Sequence, residues 1–334
     1  MRIGAMATFA KPPDEMISLL ERRGIDTFWM YEIFQGYEAF ARAGYLAAKT
    51  SRARIGVGVI NPYSRHPAIV GMGASFLSNM TKGRAAMTVG VGSGDWVGKM
   101  QGYHQANPGE RLTEFVKIVR QLLDGKEVSH RSDNYVLNKV KLSPTPEHKV
   151  PIMIACEQPN MMMVAGRVGD GVYLEPTACP TGYIKWAAQT ARKQSSKPDG
   201  FRVIANLPLS ITDDVAAARA SIKPELAFHL SFPDEAELYL GKAGFSTSLS
   251  DKIGEASGVR RLIKEGRSPA EALSGDSLKK AAELVPDEFV DQCAVFGDLD
   301  TCKDRLKELE RAGLTDVVFY FQDTKKEDLA ILTG

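Results

Sequence analysis

The sequence lacks the features that mark membrane, secreted and metal-binding proteins. No apolar run approaches the roughly 18 residues that suggest a membrane-spanning helix, and the N-terminal segment has no long apolar stretch of the signal-peptide type. Only four cysteines occur, none in a CxxC pair, and the five histidines show no metal-ligand spacing. These absences predict a cytoplasmic protein with reduced thiols, no metal site and no membrane partner.

An excess of charge of either sign is also missing. Lysine plus arginine number 42 and aspartate plus glutamate number 41, so there is no electrostatic reason to expect nucleic acid as a partner. Hydrophobic residues make up 44% of the 334-residue chain, which is ordinary for a globular protein. A chain of this length buries a sizeable core without disulfides.

Short apolar runs of strand type alternate with segments of helical periodicity along most of the chain. The predicted strands are 2–8, 25–31, 53–59, 84–91, 150–156, 171–174, 201–212 and 314–321. Strands separated by helices of 10–15 residues imply βαβ units and a parallel sheet. Eight such strands predict an α/β fold, a (β/α)8 TIM barrel, with residues 1–334 as a single domain. An open, doubly wound sheet is the alternative.

Three other segments stand out from this alternation. The clearest helix is 110–124, whose apolar residues repeat at three- and four-residue spacing. Residues 128–142 read as a small hairpin. Residues 213–290 are mostly helical and are predicted to form an insertion between the seventh and eighth strands, at the barrel mouth or at a subunit contact.

Residues suited to chemistry follow several predicted strands. Segment 56–67 leaves the third strand and segment 89–96 leaves the fourth, each with closely spaced glycines. The second does not match a dinucleotide-binding loop, because its spacing is GxGxG and no helix opens directly after it. Asp95 in this segment and Glu32 after the second strand lie where barrel enzymes place catalytic groups. A turn cap for Asp95 and a solvated position for Glu32 are the alternatives.

Segment 155–160 ends the fifth strand and opens a helix, whose N-terminal N–H groups can bind an anion. A plain helix start is the alternative. Cys156 in this segment is interpreted as a buried, inert thiol rather than a nucleophile, because no histidine lies nearby in the sequence.

With these segments in view, the sequence resembles the bacterial-luciferase-like superfamily. The main likeness is the third-strand run Gly58–Pro67, and five further segments occur in the same order as in that superfamily: 90–95, 115–125, 151–156 with 158–159, 165–171 and 295–298. Within the superfamily the likeness is greatest to the deazaflavin-dependent branch, especially the reductases of methylenetetrahydromethanopterin. The resemblance implies a (β/α)8 barrel, usually a homodimer, with a flavin or deazaflavin ring at the carboxyl-terminal mouth.

The resemblance also assigns residues to ring binding. It implies a non-prolyl cis peptide bond between Gly58 and Val59, forming a bulge that supports the middle of the ring. Asn61 and Ser93 match positions that hydrogen-bond the ring. Glu32 lies close to an acidic ring-binding position.

Further positions match the coenzyme's phosphate tail and the reacting centre. Cys156, Glu157 and Gln158 match the backbone segment near the tail, and we expect the Glu157 carboxylate to point away from it. Asp95 matches an acidic position that serves proton transfer. Asp95 and Glu32 are therefore the predicted acid–base residues.

Departures from the family pattern narrow the range of substrates that the resemblance implies. The pterin reductases carry a glutamate in the first strand, where this chain has Gly4–Ala7 without an acid. The sugar-phosphate oxidisers carry a histidine and a lysine near positions where this chain has Ile33 and Ala178. The sequence predicts hydride transfer between coenzyme F420 and a small substrate. An FMN-dependent monooxygenase using O2, or a flavin-binding protein without catalysis, is the alternative.

Overall fold

A computed structural model describes residues 1–7, 14–32, 38–92, 102–103, 106–174, 178–320 and 326–332. The strands in these residues are β1 (Arg2–Met6), β2 (Thr27–Met30), β3 (Arg54–Ile60), β4 (Ala85–Val89), β5 (Val128–Arg131), β6 (Val136–Val140), β7 (Ile152–Ala155), β8 (Gly171–Leu174), β9 (Arg202–Asn206), β10 (Leu209–Ile211), β11 (Val295–Gly297) and β12 (Asp316–Tyr320).

The α-helices in the same residues follow most of these strands. They are α1 (Asp14–Arg22), α2 (Ala39–Lys49), α3 (Pro67–Met80), α4 (Pro108–Leu123), α5 (Pro159–Val168), α6 (Thr181–Gln194), α7 (Val215–His229), α8 (Pro233–Ala243), α9 (Leu249–Ser257), α10 (Val259–Lys264), α11 (Asp276–Ala282), α12 (Asp287–Cys293) and α13 (Leu299–Arg311). Short 3₁₀ turns occupy Pro198–Gly200, Pro269–Ser274 and Lys326–Leu332.

Eight strands close into a parallel barrel, which confirms the predicted (β/α)8 fold. Their order around the barrel is β1, β12, β9, β8, β7, β4, β3, β2. Every neighbouring pair is parallel, including the pair of β1 with β2 that closes the barrel. The alternative of an open sheet is excluded by the pairing of β1 with both β2 and β12. The predicted hairpin is also present, as the antiparallel pair β5–β6 outside the barrel.

The prediction of one seventh strand over 201–212 is wrong in one respect, because these residues form two strands, β9 and β10. Leu207 still donates its N–H to Val318 of β12, but Pro208 has no N–H to continue the ladder. The Pro208 carbonyl instead accepts from Val295, and β10 then pairs with β11 outside the barrel. The chain therefore leaves the barrel at Pro208.

Helices α7–α12 lie between the seventh and eighth barrel strands, as the predicted helical insertion requires. The insertion packs on the outer helix α6, where the rings of Tyr183 and Tyr239 meet edge to face at 4.9 Å between centroids. It also reaches the loop after β7, because Gln158 donates to the Asp234 carbonyl at 3.2 Å. The insertion is thus held against the carboxyl-terminal end of the barrel.

Two hydrophobic clusters stabilise the fold. The larger one lies between the barrel and its helices, and it includes the buried face of α4 that the sequence predicts. The smaller one fills the barrel interior and includes Met6, Trp29, Met153, Tyr173 and Ile204. Within the described ranges, none of the helices combines the length and apolar character that spanning a bilayer requires.

Candidate active site

A bulge in β3 shapes one side of the barrel mouth. The pairing of β3 with β4 shifts register between Val57 and Ile60, and Gly58 adopts φ +128°. A Cβ atom at Gly58 would lie 2.2 Å from the carbonyl oxygen of Thr88, so only glycine fits this backbone. The bulge places Val59 against the interior cluster, partly exposed at the mouth.

The expected cis peptide bond between Gly58 and Val59 is wrong. In the described residues the cis peptide bond is Ser143–Pro144, and the Gly58–Val59 bond is trans. The positive φ of Gly58 turns the strand at this point, so the bulge forms with a trans bond.

Val59, Gly90 and Ala155 form a small apolar surface at the ends of β3, β4 and β7, which we call the apolar platform. A Cβ atom at Gly90 would lie 2.7 Å from Val59 Cγ1 and 2.9 Å from the Ala155 carbonyl oxygen, so the three strand ends pack closely. Thr88 lies on the same face of β4 as Gly90, and within the described residues its buried hydroxyl has no hydrogen-bond partner. A flat ring with polar edges fits such a surface.

The opposite side of the mouth carries a hydrogen-bonded row of polar side chains, which we call the tyrosine–asparagine row. Tyr173 of β8 donates to Asn206 Oδ1 of β9 at 2.8 Å, and Asn206 Nδ2 donates to the hydroxyl of Tyr31. The Tyr31 and Tyr320 hydroxyls lie 3.1 Å apart at the ends of β2 and β12. Tyr173 and Asn206 are buried, whereas Tyr31 and Tyr320 are partly exposed.

Trp29 forms the floor between these two sides. Its ring centroid is 5.1 Å from that of Tyr173, with the planes inclined by 59°. Gly56 leaves room for the indole, since a Cβ atom there would lie 2.1 Å from Trp29 Cε3. The site therefore has an apolar platform on one side, a polar row on the other and an aromatic floor between them.

Asn61, predicted to bind the ring, is buried and instead holds the loops after β3 and β4 together. Its Nδ2 donates to the Val91 carbonyl at 3.0 Å and to the Tyr103 hydroxyl at 2.6 Å, while Oδ1 accepts from the Tyr63 N–H. Both amide donors are thus engaged within the protein, and only 6% of the residue is exposed. The structure does not bring Asn61 to the open mouth with a donor available, and its contact with a ring stays a prediction.

Glu32, predicted as an acid–base residue, lies in an ion-pair cluster. Arg65 donates to both of its carboxylate oxygens, at 2.6 Å and 2.5 Å, and also to Glu38. The N–H of Ala39 at the start of α2 donates to Glu32 as well, at 3.3 Å. A carboxylate with both oxygens occupied is better suited to fixing the loop after β3 than to moving a proton.

The segment Cys156–Gln158 leaves β7 and leads into α5. The Gln158 side chain donates to the insertion, so this N-cap residue makes no side-chain hydrogen bond to the first turn of α5. Burial raises the pKa of the Cys156 thiol, consistent with an inert cysteine. Glu157 turns its carboxylate towards α8, where the Tyr239 hydroxyl donates to it at 2.8 Å.

Burial also raises the pKa of Glu157 to about 7, and the hydrogen bond from Tyr239 only partly offsets this rise. The sequence did not reveal this group as titratable near neutral pH, because the burial comes from the distant helix α8. Ser93, Asp95 and Ile33 lie outside the described residues, so their predicted roles stay predictions.

The sequence analysis missed the tyrosine–asparagine row. A signal was present in the sequence. Trp29 and Tyr31 are two residues apart in the second predicted strand, and Val318 and Tyr320 are two residues apart in the last. Period-two alternation places such pairs on one face of a strand. The row becomes visible only when barrel closure brings β2 and β12 to either side of β1.

Comparison with known proteins agrees with this architecture. The family model described as luciferase-like monooxygenase matches residues 11–316, which is most of the chain. The chain belongs to the luciferase-like monooxygenase family. It is accordingly an enzyme of the oxidoreductase class.

Relatives of this luciferase-like chain include enzymes that use a deazaflavin. It is 28% identical over 306 residues to 5,10-methylenetetrahydromethanopterin reductase of Archaeoglobus fulgidus, covering 90% of this chain and 87% of that protein. It is 30% identical over 318 residues to the F420-dependent glucose-6-phosphate dehydrogenase of Amycolatopsis mediterranei, covering 90% and 85%. The solved F420-dependent tetrahydromethanopterin reductase of Methanopyrus kandleri superposes with a TM-score of 0.78 at 21% identity, covering 99% of this chain and 96% of that one. The last comparison supports the fold.

Proposed function

We propose that the protein is a coenzyme F420-dependent oxidoreductase, which moves a hydride between the deazaflavin and a small organic substrate. The observation that carries the proposal is the β3 bulge, in which Gly58 at φ +128° holds Val59 at the interior face of the mouth. The whole-length similarity to F420-dependent relatives supports the choice of ring.

The residues at the mouth fit a deazaflavin. Gly58, Val59 and the rest of the apolar platform would support the ring, and the unpaired hydroxyl of Thr88 would meet a polar group or a water molecule. The backbone of Cys156–Gln158, with the first turn of α5 that the Gln158 side chain does not cap, would receive the phosphate tail. When bound, the coenzyme supplies or accepts the hydride, and the protein orients the reactants and excludes water.

The predicted acid–base residues then have different roles. Glu32 fixes Arg65 and the entry into α2, so it is a positioning residue for the loop after β3. Asp95 stays the candidate for proton transfer from the loop after β4, where its predicted position at a barrel mouth supports the assignment.

A titration of the purified chain with oxidised F420 and, separately, with FMN tests the ring assignment through the change in ring absorbance. We expect F420 to bind at least about tenfold more tightly than FMN. Val59→Asp should weaken F420 binding because it places a charge on the apolar platform. Val136→Asp, on the exposed hairpin, is the matched control. Preferential binding of FMN would instead support the second candidate, an FMN-dependent monooxygenase, which the description of the matched family favours.

We also propose a homodimer that acts in the cytoplasm. Helix α3 exposes four large apolar side chains, Ile69, Met72, Phe76 and Met80, at intervals of three or four residues. This α3 stripe runs along one outer face of the helix. A contiguous exposed apolar surface is typical of a protein–protein contact, and a second copy of the chain is the occupant we propose.

A further inference from the structure

The insertion holds two polar side chains that lie beside the start of helix α5. Glu157 and Gln158 directly precede Pro159, the first residue of this helix. From α8, the Tyr239 hydroxyl donates to Glu157 Oε2 at 2.8 Å. The Gln158 side-chain amide donates to the backbone carbonyl of Asp234, in the first turn of α8, at 3.2 Å. One helix of the insertion therefore engages both side chains that are placed to cap α5.

The position of the Tyr239 hydroxyl is fixed by close packing of α8 on α6. The rings of Tyr239 and Tyr183 are fully buried and meet edge to face, and the Tyr183 hydroxyl donates to the backbone carbonyl of Glu157 at 3.0 Å. A Cβ atom at Gly182 would lie 2.1 Å from the Lys242 carbonyl oxygen, so the backbones of the two helices are in near contact. Glu157 is thus held at its side chain and at its backbone by two tightly packed helices.

The start of α5 keeps N–H groups that can bind an acceptor from outside the helix. Pro159 has no N–H, and the Met162 N–H donates to the Gln158 carbonyl at 2.9 Å. The N–H groups of Asn160 and Met161 make no hydrogen bond to another described residue, and the Gln158 side chain makes none to this turn. Such N–H groups, together with the helix dipole, attract an anion. The first turn of α5 is therefore open to an anionic group.

Glu157 competes with an anionic ligand for this turn unless its side chain is restrained. A carboxylate one residue before the N-cap is attracted by the same N–H groups and the same dipole. Among the described residues, the polar contact of the Glu157 carboxylate is Tyr239. The other titratable groups that interact with this pair carry no positive charge to replace the bond. They are Glu235 from α8, Tyr183 from α6, Cys179 from the loop before α6 and Cys156 from the same segment as Glu157.

We propose that Tyr239 is a positioning residue for the coenzyme: by holding the Glu157 carboxylate, it keeps the first turn of α5 open for the phosphate tail. This inference rests on the proposed F420-dependent function and gives the helical insertion a role in binding the coenzyme. Tyr183 fixes the Glu157 backbone, and Asp234 holds the Gln158 side chain away from the same turn. The ring lies at the apolar platform in this proposal, so the effect of Tyr239 is confined to the tail.

Binding titrations with two ligands separate the tail from the ring. The ligands are F420 and a tail-free analogue, the hydroxylated 5-deazariboflavin that carries the ring and the ribityl chain without phosphate. At about pH 8.5, above the pKa of about 7 of Glu157, we expect Tyr239→Phe to weaken F420 binding about tenfold and to leave the affinity for the analogue unchanged. Tyr45→Phe, which removes a hydroxyl that donates to Asp14 on the outer surface, is the matched control. Equal weakening for both ligands, or no weakening, would overturn the proposal.

Glu157→Gln tests whether the carboxylate is the competitor. Glutamine still accepts a hydrogen bond from Tyr239 and carries no charge, so this variant should bind F420 as the wild type does. In the Glu157→Gln background we expect Tyr239→Phe to weaken F420 binding less than about threefold. In the wild-type background the loss should shrink near pH 6, where Glu157 is mostly protonated. An equal loss in both backgrounds would overturn a role through the Glu157 charge.

A failure of this inference is distinguishable from a failure of the proposed function. A wild type that binds F420, combined with an unselective effect of Tyr239→Phe, would reject the role of Tyr239 alone. A wild type that binds neither deazaflavin would reject the proposed function and this inference with it.

Discussion

Glu157 is a carboxylic acid enclosed between the end of β7 and the helical insertion. Its carboxylate accepts from Tyr239, and the Tyr183 hydroxyl donates to its backbone carbonyl at 3.0 Å. Burial raises the pKa of both tyrosines and of the Cys179 thiol well above their ordinary values, so these neighbours stay neutral. Glu157 therefore titrates near neutral pH, and the Glu235 carboxylate is also close enough to raise the pKa of the two tyrosines.

The raised pKa of Glu157 predicts a pH-dependent stability. Below the unfolded-state value of 4.5 both states hold the proton, and between 4.5 and about 7 the folded state alone holds it. Stability is therefore lost as the pH rises through this range, by at most about 1.4 kcal/mol per pH unit. Urea unfolding between pH 4.5 and 8 measures this loss.

Glu157→Gln removes the titration and keeps a hydrogen-bond acceptor for Tyr239. We expect the variant to exceed the wild type in stability above pH 7 and to approach it near pH 5. Glu15→Gln, on the exposed side of α1, should retain the wild-type pH dependence. A Glu157→Gln variant with the same pH dependence as the wild type would contradict the raised pKa.

At the scale of a single element, the shape of strand β3 depends on the backbone conformation of one residue, Gly58. We expect Gly58→Ala to lower the free energy of unfolding by about 3 kcal/mol, because φ +128° strains any Cβ and the new methyl would collide with the Thr88 carbonyl. The shifted bulge would also displace Val59 from the apolar platform and weaken ring binding. Chemical denaturation and the F420 titration measure the two effects.

Gly241→Ala offers a matched control on α8. This glycine is in a helix, with open space where a Cβ would lie, so alanine should stabilise the protein by about 0.5–1 kcal/mol. A Gly58→Ala variant as stable as Gly241→Ala would show that β3 tolerates a side chain at the bulge.

At the scale of the whole molecule, the alternation of strand and helix patterns favoured a barrel over an open sheet, and the resemblance to the luciferase-like superfamily then decided for the barrel. It could not show that the chain leaves the barrel at Pro208, because residues 201–212 form one nearly continuous apolar run. Nor could it reveal the tyrosine–asparagine row or the distant partners of Asn61 and Glu32, since the bonds to Tyr31, Val91 and Arg65 join residues 30 or more positions apart. That residues 1–334 form one domain stays a prediction.

The α3 stripe predicts the oligomeric state of the whole molecule. We expect the wild type to elute with twice the 36.5 kDa mass of the chain in size-exclusion chromatography with light scattering. Phe76→Asp should yield monomers, because it places a charge in the centre of the stripe, where Phe76 is 64% exposed. Leu273→Asp, at an exposed site on the insertion, should remain dimeric. A monomeric wild type, or a dimeric Phe76→Asp variant, would contradict the proposed interface.

The central claim is direct hydride transfer between a deazaflavin and the substrate carbon. The most direct test uses reduced F420 carrying deuterium at the hydride-donating carbon, under exclusion of O2, with an organic compound that the purified chain is found to reduce. We expect one deuterium on the reduced atom of each product molecule, with one F420 oxidised per substrate molecule reduced. Product without deuterium, or turnover that requires O2, would contradict the account.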